Sequence, residues 1–71
     1  MEYHFDDFTK LKFGEHLMSR QLGECEVIDI NYNSLFPIHA RSIKHPWMRD
    51  GYMVNGLNQV CDTESSLARI N

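Results

Sequence analysis

Hydrophobic and polar residues alternate most cleanly over residues 24–32, ECEVIDINY. Ile28, Ile30 and Tyr32 fall on one side of an extended chain and Cys25, Val27 and Asp29 on the other. The segment is also rich in β-branched residues, so it predicts a strand. Residues 38–45 repeat the pattern, with His39, Arg41, Ile43 and His45 on one face and Ile38, Ala40, Ser42 and Lys44 on the other. Between the two, Asn31, Asn33 and Ser34 signal a turn, and Pro37 biases Phe36 to an extended conformation.

Upstream the period changes. Phe8, Leu11, Met18 and Leu22 are spaced to share one face of a helix over residues 8–22, with Lys10, Lys12, Ser19 and Gln21 turned largely away. Asp6 or Asp7 is placed to cap its start, and Gly23 to end it with a positive φ. Gly14 costs such a helix about 1 kcal/mol relative to alanine. Residues 8–13 also alternate as a strand would, so the alternative is a strand to Phe13 followed by a helix over 15–22. Tyr3 and Phe5 alternate with His4 and Asp6, which predicts a short edge strand within residues 1–7.

Downstream the two strongest turn signals are Asp50-Gly51 and Asn55-Gly56. Only one can be a tight hairpin turn, and Asp50-Gly51 is the better placed, with Trp47-Met48-Arg49 paired against Tyr52-Met53-Val54. Asn55-Gly56 then reads as a bulge or a strand end. Pro46 suits a strand start or an edge. Leu57 to Val60 continues or ends the sheet, and a last short helix over residues 64–70 follows, capped by Asp62 or Thr63, with Leu67 and Ile70 one turn apart. The sum is an α+β domain spanning residues 1–71: a small antiparallel β-sheet of roughly three to four strands, one helix packed on one face, and a short C-terminal helix.

Composition narrows what such a domain can do. With 71 residues, 42% hydrophobic and one Trp, three Tyr and four Phe, the chain has apolar mass for a core and does not read as disordered. A chain of this size buries only about 60% of its unfolded surface, and a self-complementary dimer or a tight partner would relieve that. The net charge of −3 is unevenly placed. Glu2, Asp6, Asp7, Glu15, Glu24, Glu26 and Asp29 outweigh Lys10, Lys12 and Arg20 in residues 1–30, whereas residues 31–60 carry Arg41, Lys44 and Arg49 against Asp50. A dipolar surface follows, suited to steering a charged partner. The sequence shows neither a signal peptide nor an apolar run long enough for a membrane helix, and Cys25 and Cys61 lack a CxxC spacing, so a cytoplasmic protein with reduced thiols is expected.

Catalytic and metal chemistry find little support. Cys25, His39, His45 and Cys61 are the candidate zinc set, but His39 and His45 lie six positions apart, about 20 Å along an extended strand. Surface histidines and buried cysteines are the favoured reading, with no metal and no cofactor. GxSxG, GxGxxG and the phosphate-cradling GxxxxGK[ST] are absent, and Asp6-Asp7 is better explained by capping than by acid–base work. The chain is not expected to be an enzyme. His39, Arg41, Lys44, His45, Trp47, Arg49 and Tyr52 mix positive charge with aromatic faces, the pairing single-strand nucleic-acid binders use; an acidic chain with so few cations argues against that. Trp, Tyr, Met and Arg gathered over 47–53 are instead the residues enriched at protein interfaces, although for each of Trp47, Met48 and Met53 taken singly the favoured reading is that it fills the core beneath the helix.

The expectation is a small non-catalytic interaction protein, acting by stoichiometric binding to a larger protein or nucleoprotein complex. Arg41, His45, Arg49 and Tyr52 are its candidate contacts. Compact, acidic, motif-free chains of this length are frequent among phage and mobile-element products that inhibit host machinery, host defence included. That is an association with a class of genes. The alternative is a single-stranded nucleic-acid-binding protein using the basic and aromatic patch over residues 39–52.

Overall fold

A computed structural model describes residues 3–70. They form five strands: β1 (His16–Ser19), β2 (Gly23–Ile30), β3 (Ile38–Ser42), β4 (Arg49–Tyr52) and β5 (Leu67–Arg69). All pairings are antiparallel, in the spatial order β4-β3-β2-β1-β5. The first four strands meander, and the last returns beside the first. No helix occurs among the described residues, so the α+β expectation is corrected to an all-β fold, and no helix long and apolar enough to cross a membrane is present there. The sheet curls into a half-barrel: Tyr52 on edge strand β4 reaches across the concave face to hydrogen-bond Ser19 on β1.

The helix expected over 8–22 fails for local reasons. Gly14 takes φ +79, outside the helical region, and the N–H of Gly14 and the C=O of Glu15 bond to Val27 of β2, at 2.8 and 3.0 Å. Leu17 and Ser19 then point inward while Met18 lies half-exposed. With a serine inside and a methionine outside, β1 shows no alternation of apolar and polar residues. Gly23 does adopt a positive φ, +69, but it closes the hairpin between β1 and β2 rather than a helix. The alternative of a strand to Phe13 and a helix over 15–22 is corrected in the same way.

Phe8 and Leu11 belong instead to an N-terminal strap that plugs the open side of the half-barrel. Phe8 is fully buried, its N–H donates to the Val54 carbonyl at 2.8 Å, and the Arg69 guanidinium lies 5.2 Å from its ring centre. Arg69 also bonds the Asp6 carboxylate at 3.2 Å and the Asp7 carbonyl at 2.8 Å. Asp6 and Asp7 cap no helix. The carboxylate of Asp7 accepts the Thr9 N–H at 2.9 Å and its hydroxyl, and these bonds hold the carboxyl below its usual range. Residues 3–7 form no strand, and residues 1 and 2 lie outside the described part.

Asp50-Gly51 is not a turn. Both residues lie within β4, and a Cβ on Gly51 would stand 3.2 Å from the Phe36 Cβ and 3.5 Å from the His39 ring, so this glycine serves close packing. The chain reverses at Met53–Gly56, where the Gly56 N–H meets the Met53 carbonyl at 2.9 Å and Gly56 takes φ +100. β2 carries a bulge between Val27 and Asp29, which moves Asp29 off the face of Cys25 and Val27 and onto the outer one. β3 ends at Ser42, short of His45, and residues 57–60 form turns rather than strand. The expected C-terminal helix is strand β5 with the turns before it.

Each sheet edge is partly occupied by side chains, at Gly51 on β4 and at Leu67 on β5. On β4 the Gly51 N–H donates to Asp50 Oδ1 at 2.8 Å, and its carbonyl accepts from Asn58 Nδ2 at 3.0 Å. On β5 the Ser65 hydroxyl accepts the Leu67 N–H at 3.2 Å and donates to the Leu67 carbonyl at 2.8 Å. Edge groups occupied in this way offer less to a neighbouring strand.

Gly56 admits no side chain: an added Cβ would lie 2.1 Å from Ser65 Oγ and 3.0 Å from the Phe8 ring, at a φ that L-residues avoid. Gly56→Ala is expected to lower the unfolding free energy by at least about 2 kcal/mol, read from urea titration. A loss below about 0.5 kcal/mol would show that Ser65 and Phe8 are not held against this turn.

Candidate interaction surface

The convex face is built by strand register. His16, Glu26, Arg41 and Arg49 stand side by side across β1, β2, β3 and β4, and Asp29, His39 and Gly51 form the next row. Arg41 is half-buried and ion-paired to Glu26. His16 Nδ1 lies 3.1 Å from the Glu24 carboxylate. Arg49 is exposed and forms no ion pair or hydrogen bond with a described residue. An open groove of about 580 Å³ runs between Asp29, His39, Arg41, Arg49, Asp50 and Gly51.

Next to this groove is the loop from residue 43 to 48. Ser42 ties it down at both ends. Its hydroxyl accepts the His45 N–H at 3.0 Å and its own N–H donates to the Met48 carbonyl at 3.0 Å. Held this way, the loop displays Ile43, Lys44, His45, Pro46, Trp47 and Met48, all exposed. Trp47 is 76% exposed, and the His45 ring leans on it at 5.1 Å between centres, tilted by 56°.

Of the four contacts expected from the sequence, the fold brings Arg41 and Arg49 together as cross-strand neighbours and places His45 in the loop between them. Tyr52 points the other way. It is fully buried, its hydroxyl bonded to Ser19 Oγ and to Gln21 Oε1, the latter at 3.1 Å. Trp47, for which a core position is the favoured expectation from the sequence, is instead the most exposed of the large apolar side chains among the described residues, because it lies in a loop and not in a hairpin strand. Its signal was Pro46 in front of it and Lys44-His45 before that, a composition suited to a loop rather than to a hairpin strand.

Cys25 is buried in the core and Cys61 is exposed, while His39 faces outward from β3. Among the described residues no three His, Cys, Asp or Glu side chains converge as a metal site, so the candidate zinc set is not assembled. A second hollow, of about 240 Å³, lies among Arg20, Gln21, Asp62, Thr63, Glu64 and Ser66. Its cation is already engaged: Arg20 bonds the Ser65 carbonyl at 2.9 Å, pairs with Glu64 at 3.4 Å and covers the Tyr3 ring at 4.2 Å. Comparison with known protein families, with curated proteins and with solved structures finds no match for this chain.

Burial pushes the Cys25 thiol up to about 11 from 9.0, and burial likewise raises the Tyr52 phenol above its ordinary value of 10.0. In the unfolded chain these groups ionise earlier, so above about pH 9 the unfolded state binds fewer protons and stability falls as pH rises toward 11. Urea midpoints are expected to hold from about pH 7 to about pH 8.5 and to drop by about pH 10.5, with a smaller drop in Cys25→Ala. An equal drop in that variant would remove Cys25 from the account.

Proposed function

We propose that this protein is a small non-catalytic binding module that docks on a larger protein through the loop from residue 43 to 48 and the adjoining Arg41–Arg49 face. One observation carries the reading: Trp47 stands 76% exposed on a tethered loop, flanked by His45, Met48 and Arg49. A tryptophan left in water stabilises no fold. Trp and Arg are the residues that dominate binding energy at protein interfaces when a partner desolvates them. Because the loop is fastened by Ser42, little conformational freedom remains to be lost on docking.

Charge favours a protein over a single-stranded nucleic acid. Phosphate contacts call for cations free to meet them, yet Arg41 is paired to Glu26, and Asp29 shares its face. The same reading places the protein in the cytoplasm, where two free thiols stay reduced.

Affinity capture of the tagged protein from its source cells, with and without nuclease, is expected to retain a defined protein that survives digestion. Trp47→Ala is expected to weaken that complex by at least about 2 kcal/mol while leaving the urea midpoint of the isolated protein unchanged. Retention of the partner by Trp47→Ala, or its loss on nuclease treatment, would overturn the reading.

A further inference from the structure

Arg41 and Arg49 face each other directly across the β3–β4 ladder. Like charges in that position repel unless an anion compensates them. Arg41 has such an anion in Glu26. Arg49 has none among the described residues. The acids nearest to it are committed or distant: the Asp50 carboxylate accepts the Gly51 N–H at 2.8 Å, and Asp29 lies on β2 across from His39. Beside Arg49 on the same outer face is Gly51, over which Phe36 and the His39 ring pack closely. The end of the groove at Arg49 is therefore cationic, with no anion of the described residues seated on it.

We infer that this end of the groove seats a carboxylate, the side chain of a glutamate or aspartate on the partner protein, held by Arg49 with Arg41 behind it. The inference rests on the protein-binding reading and names the chemistry of what binds. A guanidinium presents parallel N–H donors that match the two oxygens of one carboxylate. A nucleic-acid strand brings repeated phosphates, and Glu26 and Asp29 on the same face would repel those beyond the first. One unpaired arginine beside these two acids suits a single monoanion.

The full chain, 15N-labelled, is titrated with a capped Gly-Ser-Glu-Ser-Gly peptide, with its Gln counterpart and with oligothymidylate. The Glu peptide is expected to shift the Arg49 Nε–H and the amides of His39, Arg41 and Gly51. The Gln peptide is expected to bind at least about tenfold more weakly. Arg49→Ala is expected to lose the titration while its remaining amides keep their positions, and Arg49→Gln repeats the test with the side-chain stem retained. Equal binding of the two peptides, titration that persists in both Arg49 variants, or tighter binding of oligothymidylate at these residues would overturn the inference. Trp47→Ala separates the two readings. Its loss of the captured partner with no peptide titration in the parent protein would sink the carboxylate site alone; retention of the partner would sink the protein-binding reading whatever the peptide does.

Discussion

The hydroxyl of Tyr52 ties edge strand β4 to β1 across the concave face, and the shape of the sheet depends on that bond. It meets Ser19 Oγ, which also accepts the N–H groups of Gln21 and Leu22 at 3.1 Å each. Gln21 carries the connection on to Ser66 at 3.0 Å, and the Ser66 N–H reaches the Gly56 carbonyl at 2.8 Å. All of these residues but the exposed Gln21 are buried, and leaving a buried group unpaired costs about 1–3 kcal/mol. A flatter sheet would separate β4 from β1 and strand them. The curl is thus the arrangement in which the polar interior is satisfied, and no buried side-chain nitrogen or oxygen lacks a partner among the described residues.

The apolar core is arranged around that chain of bonds. Leu17, Cys25, Val27, Ile38, Ala40 and Leu67 line the concave face, and Phe8 and Leu11 close it from the strap. The strap is held by Arg69, the last residue of β5, through Asp6, Asp7 and the ring of Phe8. One end of the chain therefore completes a core that the other end locks.

The strands that obey a simple alternation were legible. β2 and most of β3 stand where residues 24–32 and 38–45 pointed, because their inward positions are apolar. What stayed hidden has physical causes. β1 places Ser19 inside, satisfied only by Tyr52, a residue far along the chain, so no local window could show it as a core position. Gly51 looked like a turn residue since a turn and a close approach of Phe36 both ask for a missing side chain. The bulge in β2 sent Asp29 outward, a register shift that composition does not encode. On the surface, the grouping of Arg41, His45 and Arg49 is legible from their closeness along the chain, whereas the buried position of Tyr52 and the exposed position of Trp47 depend on how the sheet curls.

The sheet edges have an evolutionary corollary. Because Asp50, Asn58 and Ser65 occupy backbone groups of Gly51 and Leu67 at the borders of β4 and β5, strand addition there is discouraged, and under the binding-module proposal recognition falls to side chains. Residues 43–48 display those side chains, and the fold uses Ser42, not them, to fasten the loop. Under that proposal, substitutions there retarget the molecule without touching the interior, and the architecture separates what the protein is from what it holds, leaving the second free to drift quickly.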